Sequence, residues 1–282
     1  MLNLHRRGFL AALAASAVPS FARTLKTVGV QLYTLRTVLP QKPLETLKAL
    51  EEIGFTEAEV IGGSLDAVWP SLIQTKLKPV SVHLDTALFT TNQDKLPAAL
   101  EDAKKRGLKF AVCPYIAPKD RGGVDVIKKL GETLNKAGET CAKSGLSLCY
   151  HNHAFEFEPA AGGTLLDVLM QTTDPKYVSL ELDIMWSKVG GHDPVEILKK
   201  YNKRIALMHL KNVAAGVGPQ FNEKVAKEAF KEVGNGSIDI PAVLKTASEV
   251  GVKHYFVEQD QTPGNPLDSL KQSFEYLKKT SF

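Results

Sequence analysis

The strongest constraint on the fold of this 282-residue chain is a regular alternation of two sequence patterns. Short apolar runs rich in Val, Ile, Leu and Phe are typical of strands buried on both faces of a parallel sheet. They predict strands at residues 27–33, 57–61, 79–83, 109–114, 147–151, 178–183, 205–209 and 254–258. Apolar residues at helical spacing predict helices at 43–53, 96–106, 124–144, 164–172, 194–201, 240–250 and 266–279.

Eight strand–helix units predict an α/β fold, the (β/α)8 TIM barrel, which takes about 250 residues. Residues 23–282 contain no linker rich in Pro, Gly or Ser, so they are predicted to form a single domain. The competing fold, an open doubly wound sheet, usually has a glycine-rich turn after its first strand. Residues 31–36, at the end of the first predicted strand, contain no glycine. The closed barrel is therefore favoured.

The first 22 residues carry a pattern of export rather than of folding. Arg6 and Arg7 form a twin-arginine pair before an Ala-rich apolar run that is too short to span a bilayer. Ser20 and Ala22 supply the small residues that a signal peptidase reads. We predict a twin-arginine signal peptide at residues 1–22, cleavage after Ala22 and a periplasmic protein without membrane attachment. The alternative is an uncleaved N-terminal helix.

The charge of the chain argues against nucleic acid as a partner. The net charge is +4, and it falls to +2 when Arg6 and Arg7 are left out. A protein that binds nucleic acid is expected to carry a clear excess of basic residues on one face. We therefore predict no nucleic-acid partner.

Polar side chains end the predicted strands where a TIM barrel carries its active site. Four of the seven histidines lie at these ends, and carboxylates accompany them. Buried polar groups are costly unless each finds a partner, so we expect the side chains to share one pocket. The polar residues concerned are Glu57, Glu59, His83, Asp85, His151, His153, Glu156, Asp183, His209, Lys211, Glu258, Gln259 and Asp260.

Three of these residues predict a metal site. Asp183, His209 and Glu258 end three consecutive predicted strands. Neighbouring strands lie about 5 Å apart, so the three side chains can reach one ion. Mixed carboxylate and imidazole ligands suit Mn²⁺, Zn²⁺, Co²⁺ or Fe²⁺, and we predict one divalent ion of this group. The alternative is a network of salt bridges within the mouth of the barrel.

The fifth predicted strand ends in two histidines. Side chains alternate along a strand, so His151 and His153 face the same way, with Glu156 just beyond. Two imidazoles and a carboxylate on one face predict either a metal site or a polar sugar site. The alternative is a hydrogen-bonded strand end without chemistry.

Six motifs stand in a fixed order along the chain: Gly29-Val30-Gln31-Leu32-Tyr33-Thr34-Leu35-Arg36, His151-Asn152-His153 with Glu156-Phe157, Leu182-Asp183 with Trp186, His209-Leu210-Lys211-Asn212, Gly234 with Gly236 and Asp239, and Val257-Glu258-Gln259-Asp260. Together they resemble the sugar phosphate isomerase/epimerase family, whose fold is the xylose-isomerase-like TIM barrel. The resemblance extends from about residue 26 to the end of the chain.

The resemblance implies a set of metal ligands. The ketose epimerases of this superfamily hold one divalent ion with Glu, Asp, His and Glu from the fifth to the eighth strands. Asp183, His209 and Glu258 match three of these positions, whereas His151 stands where the epimerases have Glu. The fourth ligand is thus either His151 itself or Glu156.

The resemblance also implies candidates for proton transfer. In the epimerases the two metal-binding glutamates exchange a proton with the sugar carbon, and only Glu258 of that pair is matched. His153, Glu156 and Lys211 are the candidates to replace the other, Lys211 as an acid, a base or a cation that holds an oxyanion. A solvated or carboxylate-paired side chain is the alternative for Lys211.

The function implied is that of a metal-dependent isomerase or epimerase that acts on an unphosphorylated sugar or keto-sugar through an enediolate. Elimination from the next carbon would instead make the protein a 3-keto-glycoside lyase or a keto-sugar dehydratase. A non-catalytic sugar-binding barrel is a further alternative. An apurinic-site nuclease, which shares this barrel, is disfavoured because it needs three zinc ions and a basic groove.

Four residues are predicted to contact the sugar. They are Glu59, His83, Trp186 and Tyr33, with stacking on the sugar ring as the role of the aromatic pair. Packing at the barrel rim is the alternative for Trp186 and Tyr33. Many relatives are dimers or tetramers, so the resemblance leaves a homo-oligomer open.

Overall fold

The computed structural model describes residues 23–160 and 162–282. Within them, eight parallel strands close into a barrel in chain order. The barrel strands are β1 Gly29–Gln31, β2 Glu57–Ile61, β3 Lys78–His83, β4 Phe110–Cys113, β5 Ser147–His151, β6 Val178–Asp183, β7 Ile205–Leu210 and β8 His254–Val257. The signal peptide predicted at 1–22 lies outside the described residues.

All eight predicted strands are present, and seven agree with the prediction to within one residue at either end. β1 is shorter because Gln31 ends it. The side-chain oxygen of Gln31 accepts a hydrogen bond from the backbone N–H of Tyr33 and begins the 3-10 turn Leu32–Leu35. This turn directs the chain over the end of the barrel.

Helices cover the outside of the barrel. Their bounds are Pro43–Ile53, Leu65–Leu72, Thr86–Phe89, Leu96–Lys105, Val124–Ser144, Leu165–Thr172, Ile184–Val189, Pro194–Lys200, Ile240–Val250 and Pro266–Lys279. Val124–Ser144 ends at Gly145, whose φ of 82° favours glycine. No helix within the described ranges has the length and apolar character needed to cross a membrane.

Two small hairpins extend the barrel. Asn212–Val213 pairs with Phe230–Lys231, and Pro159–Ala160 pairs with Gly163–Thr164, both antiparallel. The first hairpin closes the long connection that follows β7. Glu223 and Val225 of this connection line the cavity described below, so the segment covers part of the barrel mouth.

The inside of the barrel changes from apolar to polar towards the C-terminal ends of the strands. Cys149 on β5 and Leu207 on β7 belong to an apolar layer that fills the barrel centre. Two residues further along the same strands, and therefore on the same face, stand His151 and His209. The apolar layer closes the bottom of a polar site.

Candidate metal centre and active-site pocket

A cavity of about 670 Å³ opens at the C-terminal end of the barrel. The predicted site residues that line it are Tyr33, His83, His151, His153, Trp186, Lys211 and Glu258. Glu59, Asp183 and His209 are fully buried and contact members of this lining. Of the eleven residues assigned a metal-binding, catalytic or sugar-contacting role, the structure therefore brings ten together and leaves Glu156 apart. Glu57, also expected in the pocket, instead lies at the start of β2, 2.9 Å from His254 Nδ1.

Asp183, His209 and Glu258 form one compact group, which we call the mouth set. Their ligand atoms lie within 4.8 Å of one another, and all three residues are buried. Asp183 is fixed by its position as the N-cap of Ile184–Val189, because one carboxylate oxygen accepts from the backbone N–H groups of Met185 and Trp186 at 2.9 Å. Two carboxylates and an imidazole at this spacing fit a divalent metal ion.

The ammonium of Lys211 joins three carboxylates at the mouth. Its Nζ lies 2.9 Å from Asp183 Oδ2, 2.6 Å from Glu258 Oε2 and 2.8 Å from Asp260 Oδ2. Burial alone would lower the pKa of Lys211, but the negative charges of Asp183, Asp260 and Glu258 raise it well above its usual value. Lys211 is thus a buried cation rather than a base in this arrangement.

The two carboxylates Glu258 and Asp260 beside Lys211 differ in whether burial or the neighbouring charges decide the pKa. Burial favours a raised pKa in Glu258, but the charges of Lys211 and His209 outweigh it and hold the pKa well below the usual range. Burial, together with Glu258 and Asp183, raises the pKa of Asp260 to about 6 although Lys211 opposes this. Glu258 therefore stays ionised, and Asp260 is the carboxylate that titrates first as the pH falls.

A second group lies one layer deeper and centres on Glu181, which the sequence analysis missed. Glu181 Oε2 lies 2.8 Å from His83 Nε2, 3.0 Å from His151 Nδ1 and 3.4 Å from His209 Nε2. Glu181 precedes Asp183 by two residues on β6, so both face into the barrel. A carboxylate two residues before a predicted site residue, in an otherwise apolar strand, is the sequence signal that could have identified Glu181.

Glu59 binds the same histidines from β2. Its Oε1 lies 2.6 Å from His209 Nε2 and 2.9 Å from His83 Nε2, and it accepts a hydrogen bond from Gln31 Nε2 at 2.7 Å. Ser81 donates to the other oxygen. Burial would lower the pKa of His83, but the charges of Glu59 and Glu181 raise it to about 9. Glu59 is thus a fully buried part of the polar network, beneath the surface where a sugar would bind.

His153 stands beside the cavity without a charged partner. Its ring centroid lies 5.0 Å from that of Tyr115 and 5.5 Å from that of Trp186. Within the described residues, its Nδ1 and the indole Nε1 of Trp186 accept or donate no hydrogen bond. Burial lowers the pKa of His153 well below its usual value, so the ring is neutral near pH 7. A neutral imidazole in a pocket can accept a proton.

Glu156 does not reach either group. Its carboxylate accepts hydrogen bonds from Tyr150 Oη at 2.7 Å and from the backbone N–H of His153 at 2.9 Å. Burial raises its pKa to about 7. Of the two alternatives for the fifth-strand ligand, the structure places His151, and not Glu156, against the cluster.

Comparisons with known proteins agree with the fold. A family model for the xylose isomerase-like TIM barrel matches residues 29–280. An inosose dehydratase of Geobacillus kaustophilus is 26% identical over 271 residues, which cover 83% of this chain and 85% of that protein. Inosose dehydratases of Clostridium botulinum and Clostridium perfringens align over only 53% and 54% of their own length.

Solved structures show the same barrel. A sugar phosphate isomerase/epimerase from Parabacteroides distasonis is 26% identical with a TM-score of 0.73, and the match covers 94% of this chain and 97% of that one. The IolI protein, solved with a bound zinc atom, is 16% identical with a TM-score of 0.68 over 89% of this chain and 96% of that one. The match of the family model to nearly the whole described chain shows that the chain belongs to the xylose isomerase-like TIM barrel family.

Proposed function

We propose that this protein is a divalent-metal-dependent lyase that eliminates water, or an alcohol, from the carbon next to the acidic C–H of an unphosphorylated keto-sugar. The likeness to an inosose dehydratase over most of both chains supports elimination. The observation that carries the proposal is a neutral imidazole, His153, and a buried ammonium, Lys211, that line one cavity beside the mouth set.

The mouth set supplies the metal ligands, with His151 from β5 beside it. When bound there, the ion polarises the ketone oxygen of the substrate and acidifies the neighbouring C–H. The identity of the ion is part of the proposal, and the ligand chemistry favours Zn²⁺, Mn²⁺, Co²⁺ or Fe²⁺.

Residues of the chain then move the protons. His153 accepts the proton from the carbon beside the ketone, for which its neutral state is suited. The bond between the next carbon and its oxygen breaks, and the leaving oxygen takes a proton from Lys211, which is charged before the reaction. Asp260 and Glu258, both within 2.8 Å of Nζ, hold the ammonium in place.

The test is a panel of keto-sugars and 3-keto-glycosides incubated with the metal-loaded protein in D₂O. Elimination yields an unsaturated ketone with strong ultraviolet absorbance, and NMR detects exchange of the C–H. His153→Ala should lose both signals by roughly 100-fold or more. Lys211→Met should retain exchange but lose elimination. His192→Ala, outside the cavity lining, is the matched control.

A second candidate is an isomerase or epimerase on the same site, as in the name of the Parabacteroides distasonis structure. It shares the first proton transfer, and differs because the proton returns to carbon and no oxygen leaves. A product with the composition of the substrate, but with one carbon-bound hydrogen replaced by deuterium, would identify this reaction. Sugar binding without exchange, with every metal tried, would overturn both candidates in favour of a non-catalytic sugar-binding barrel.

Export by the twin-arginine route is a further part of the proposal, and it rests on Arg6 and Arg7. Cell fractionation should find the protein in the periplasm and shortened at Ala22. The doubly substituted variant Arg6→Lys, Arg7→Lys should remain unprocessed in the cytoplasm. Equal processing of both forms would contradict the proposal.

A further inference from the structure

We propose that the barrel holds a second metal site, formed by His83, His151, His209 and Glu181 one layer below the mouth set. We call this group the inner histidine site. It is independent of the proposed function, which requires a single ion at the mouth.

The side chains of the inner histidine site converge from four strands on one point. His83 ends β3, His151 ends β5, Glu181 lies on β6 and His209 on β7, and one ligand atom from each lies within 4.8 Å of the others. The three imidazole nitrogens surround a single oxygen, Glu181 Oε2, at 2.8, 3.0 and 3.4 Å. His83 Nε2 and His151 Nδ1 lie within hydrogen-bond distance of this oxygen, whereas His209 Nε2 makes its hydrogen bond to Glu59 Oε1 at 2.6 Å and approaches Glu181 Oε2 without bonding to it.

This donor set matches a four-coordinate transition-metal ion. Zn²⁺ binds imidazole nitrogen and carboxylate oxygen at about 2.0 to 2.2 Å, which places the ligands of a tetrahedral site roughly 3.3 to 3.6 Å apart. One observed nitrogen–oxygen distance, 3.4 Å, lies within this range, and the shortest, 2.8 Å, lies about half an ångström below its lower end. Small rotations of buried side chains would therefore open the group around an ion. Imidazole-rich sites of this kind favour Zn²⁺, Co²⁺ or Fe²⁺ over Mg²⁺ or Ca²⁺.

An independent observation points to a missing ligand. Glu181 is fully buried, and within the described part of the chain its Oε1 atom has no hydrogen-bond partner. An unsatisfied buried carboxylate oxygen costs free energy comparable to a lost charged hydrogen bond. A cation bound through both oxygens of this carboxylate would supply Oε1 with a partner.

The surroundings resemble the outer shell of a metal site. Ligating histidines usually pair their second nitrogen with a carboxylate, and His209 Nδ1 lies 2.8 Å from Glu258 Oε2. Glu59, held by Gln31 and Ser81, lies against both His83 and His209. His209 thus presents Nδ1 to the mouth set and Nε2 to the inner histidine site. When both ions are bound, His209 would lose its ring proton and bridge them as an imidazolate, because a neutral imidazole has only one nitrogen lone pair.

The negative charges of the inner carboxylates can be neutralised in two ways. Glu59 and Glu181 are two buried carboxylates, which call for two positive charges nearby. One divalent ion among neutral imidazoles supplies them, and so do two protons on His83 and His209. The ion can enter from solvent, because His83 and His151 line the cavity.

The test uses variants that belong to only one of the two sites. The purified full chain is stripped with a chelator, titrated with Zn²⁺ and analysed for bound metal. His83→Asn and Glu181→Gln alter the inner histidine site alone, Asp183→Asn alters the mouth set alone, and His192→Ala is the control for loss of an imidazole elsewhere. Circular dichroism verifies that each variant is folded.

We expect two ions in the wild type and in His192→Ala, and one in each of the three site variants. A single ion that is lost in His83→Asn and Glu181→Gln but kept in Asp183→Asn would support the inner site and contradict the mouth set. A single ion that is lost in Asp183→Asn but kept in His83→Asn would overturn the inference. Anomalous diffraction from wild-type crystals grown with Zn²⁺ tests the inner histidine site without variants. The absence of an anomalous peak beside His83 Nε2 would also overturn the inference.

Discussion

At the scale of single residues, Glu156 controls a pH dependence of stability that is separate from catalysis. Its pKa is about 7 in the folded protein against an ordinary value of 4.5, so the folded state keeps a proton that the unfolded state releases earlier. This proton adds on the order of 3 kcal/mol to the free energy of unfolding below pH 4.5. The contribution is lost as the pH rises to about 7.

Glu156→Gln should remove this dependence. The variant keeps an uncharged side chain beside Tyr150 at every pH, so its free energy of unfolding should fall less than that of the wild type between pH 5 and pH 8. Urea unfolding of both proteins at the two pH values measures the difference. Glu158→Gln, at an exposed position two residues away, serves as the control. Parallel pH profiles for Glu156→Gln and wild type would refute the role of Glu156.

Lys211 lies where it competes with a metal ion. Its Nζ contacts Asp183 and Glu258, two members of the mouth set, at 2.9 and 2.6 Å. Lys211→Met removes a positive charge next to a divalent ion, so the affinity of the mouth set for Zn²⁺ should increase while elimination falls by roughly 100- to 10,000-fold. Calorimetric titration beside an activity assay measures both. Weaker Zn²⁺ binding in Lys211→Met than in Lys105→Met, on the barrel exterior, would contradict this role.

At the scale of elements, an ion pair ties the connection after β7 to the barrel, beside a backbone hydrogen bond from Gln220 to Val189. Both oxygens of Glu223 bind the guanidinium of Arg121, at 2.9 and 3.0 Å, and this guanidinium lies 4.1 Å above the ring of Phe155. The contact between Nη1 and Oε2 is a hydrogen bond between charged groups, which is stronger than one between neutral groups, and the contact between Nη2 and Oε1 is electrostatic only. The pair holds Glu223 and Val225 at the wall of the cavity.

Glu223→Gln should loosen this connection without unfolding the barrel. Hydrogen exchange of residues 214–229 should become faster, and KM should rise several-fold with a smaller change in kcat, because the substrate loses part of one wall. Glu228→Gln, exposed on the same connection, is the matched control. Unchanged exchange in Glu223→Gln would show that the ion pair does not hold the segment.

The strands could be predicted from sequence because burial on both faces leaves a continuous apolar run. Three helices were not predicted, and one of them, Thr86–Phe89, is a single turn. Leu65–Leu72 contains Pro70, which lacks the backbone N–H that would bond to the turn before it. Ile184–Val189 is short, and the side chain of Asp183 caps its start. Asp183 is predicted from sequence as a metal ligand, so its role as a helix cap is not evident there.

The site residues at strand ends could be predicted from the sequence, whereas the positions of Glu181, inside a strand, and Glu156, beyond a strand end, could not. Polar residues at strand ends meet in any closed parallel barrel, so the grouping of His83, His209 and Glu258 follows from the fold. Glu181 lies one step inside the strand, where the surrounding apolar residues hide it. Glu156 follows the strand end in sequence, but a 3-10 turn at Phe155–Phe157 directs its side chain to Tyr150.

At the scale of the whole molecule, the barrel encloses a group of charged and imidazole side chains near the C-terminal ends of its strands. Six carboxylate or imidazole residues at the ends of five strands form the two clusters, five of them buried and His83 partly exposed, and their mutual contacts replace water. Such networks stabilise only when every charge is balanced. The stability of the entire barrel should therefore depend on the cations that occupy its centre.

Metal addition should raise the melting temperature of the whole barrel. An ion that binds only the folded state at 100 times its Kd adds about 2.7 kcal/mol of stability, which corresponds to roughly 5 to 10 °C for a chain of this size. Differential scanning calorimetry with excess Zn²⁺, Mn²⁺ or chelator measures the shift. The double variant Asp183→Asn, His83→Asn should show no shift because it lacks a ligand in each cluster. An equal rise in wild type and double variant would place the stabilising ions outside the barrel centre.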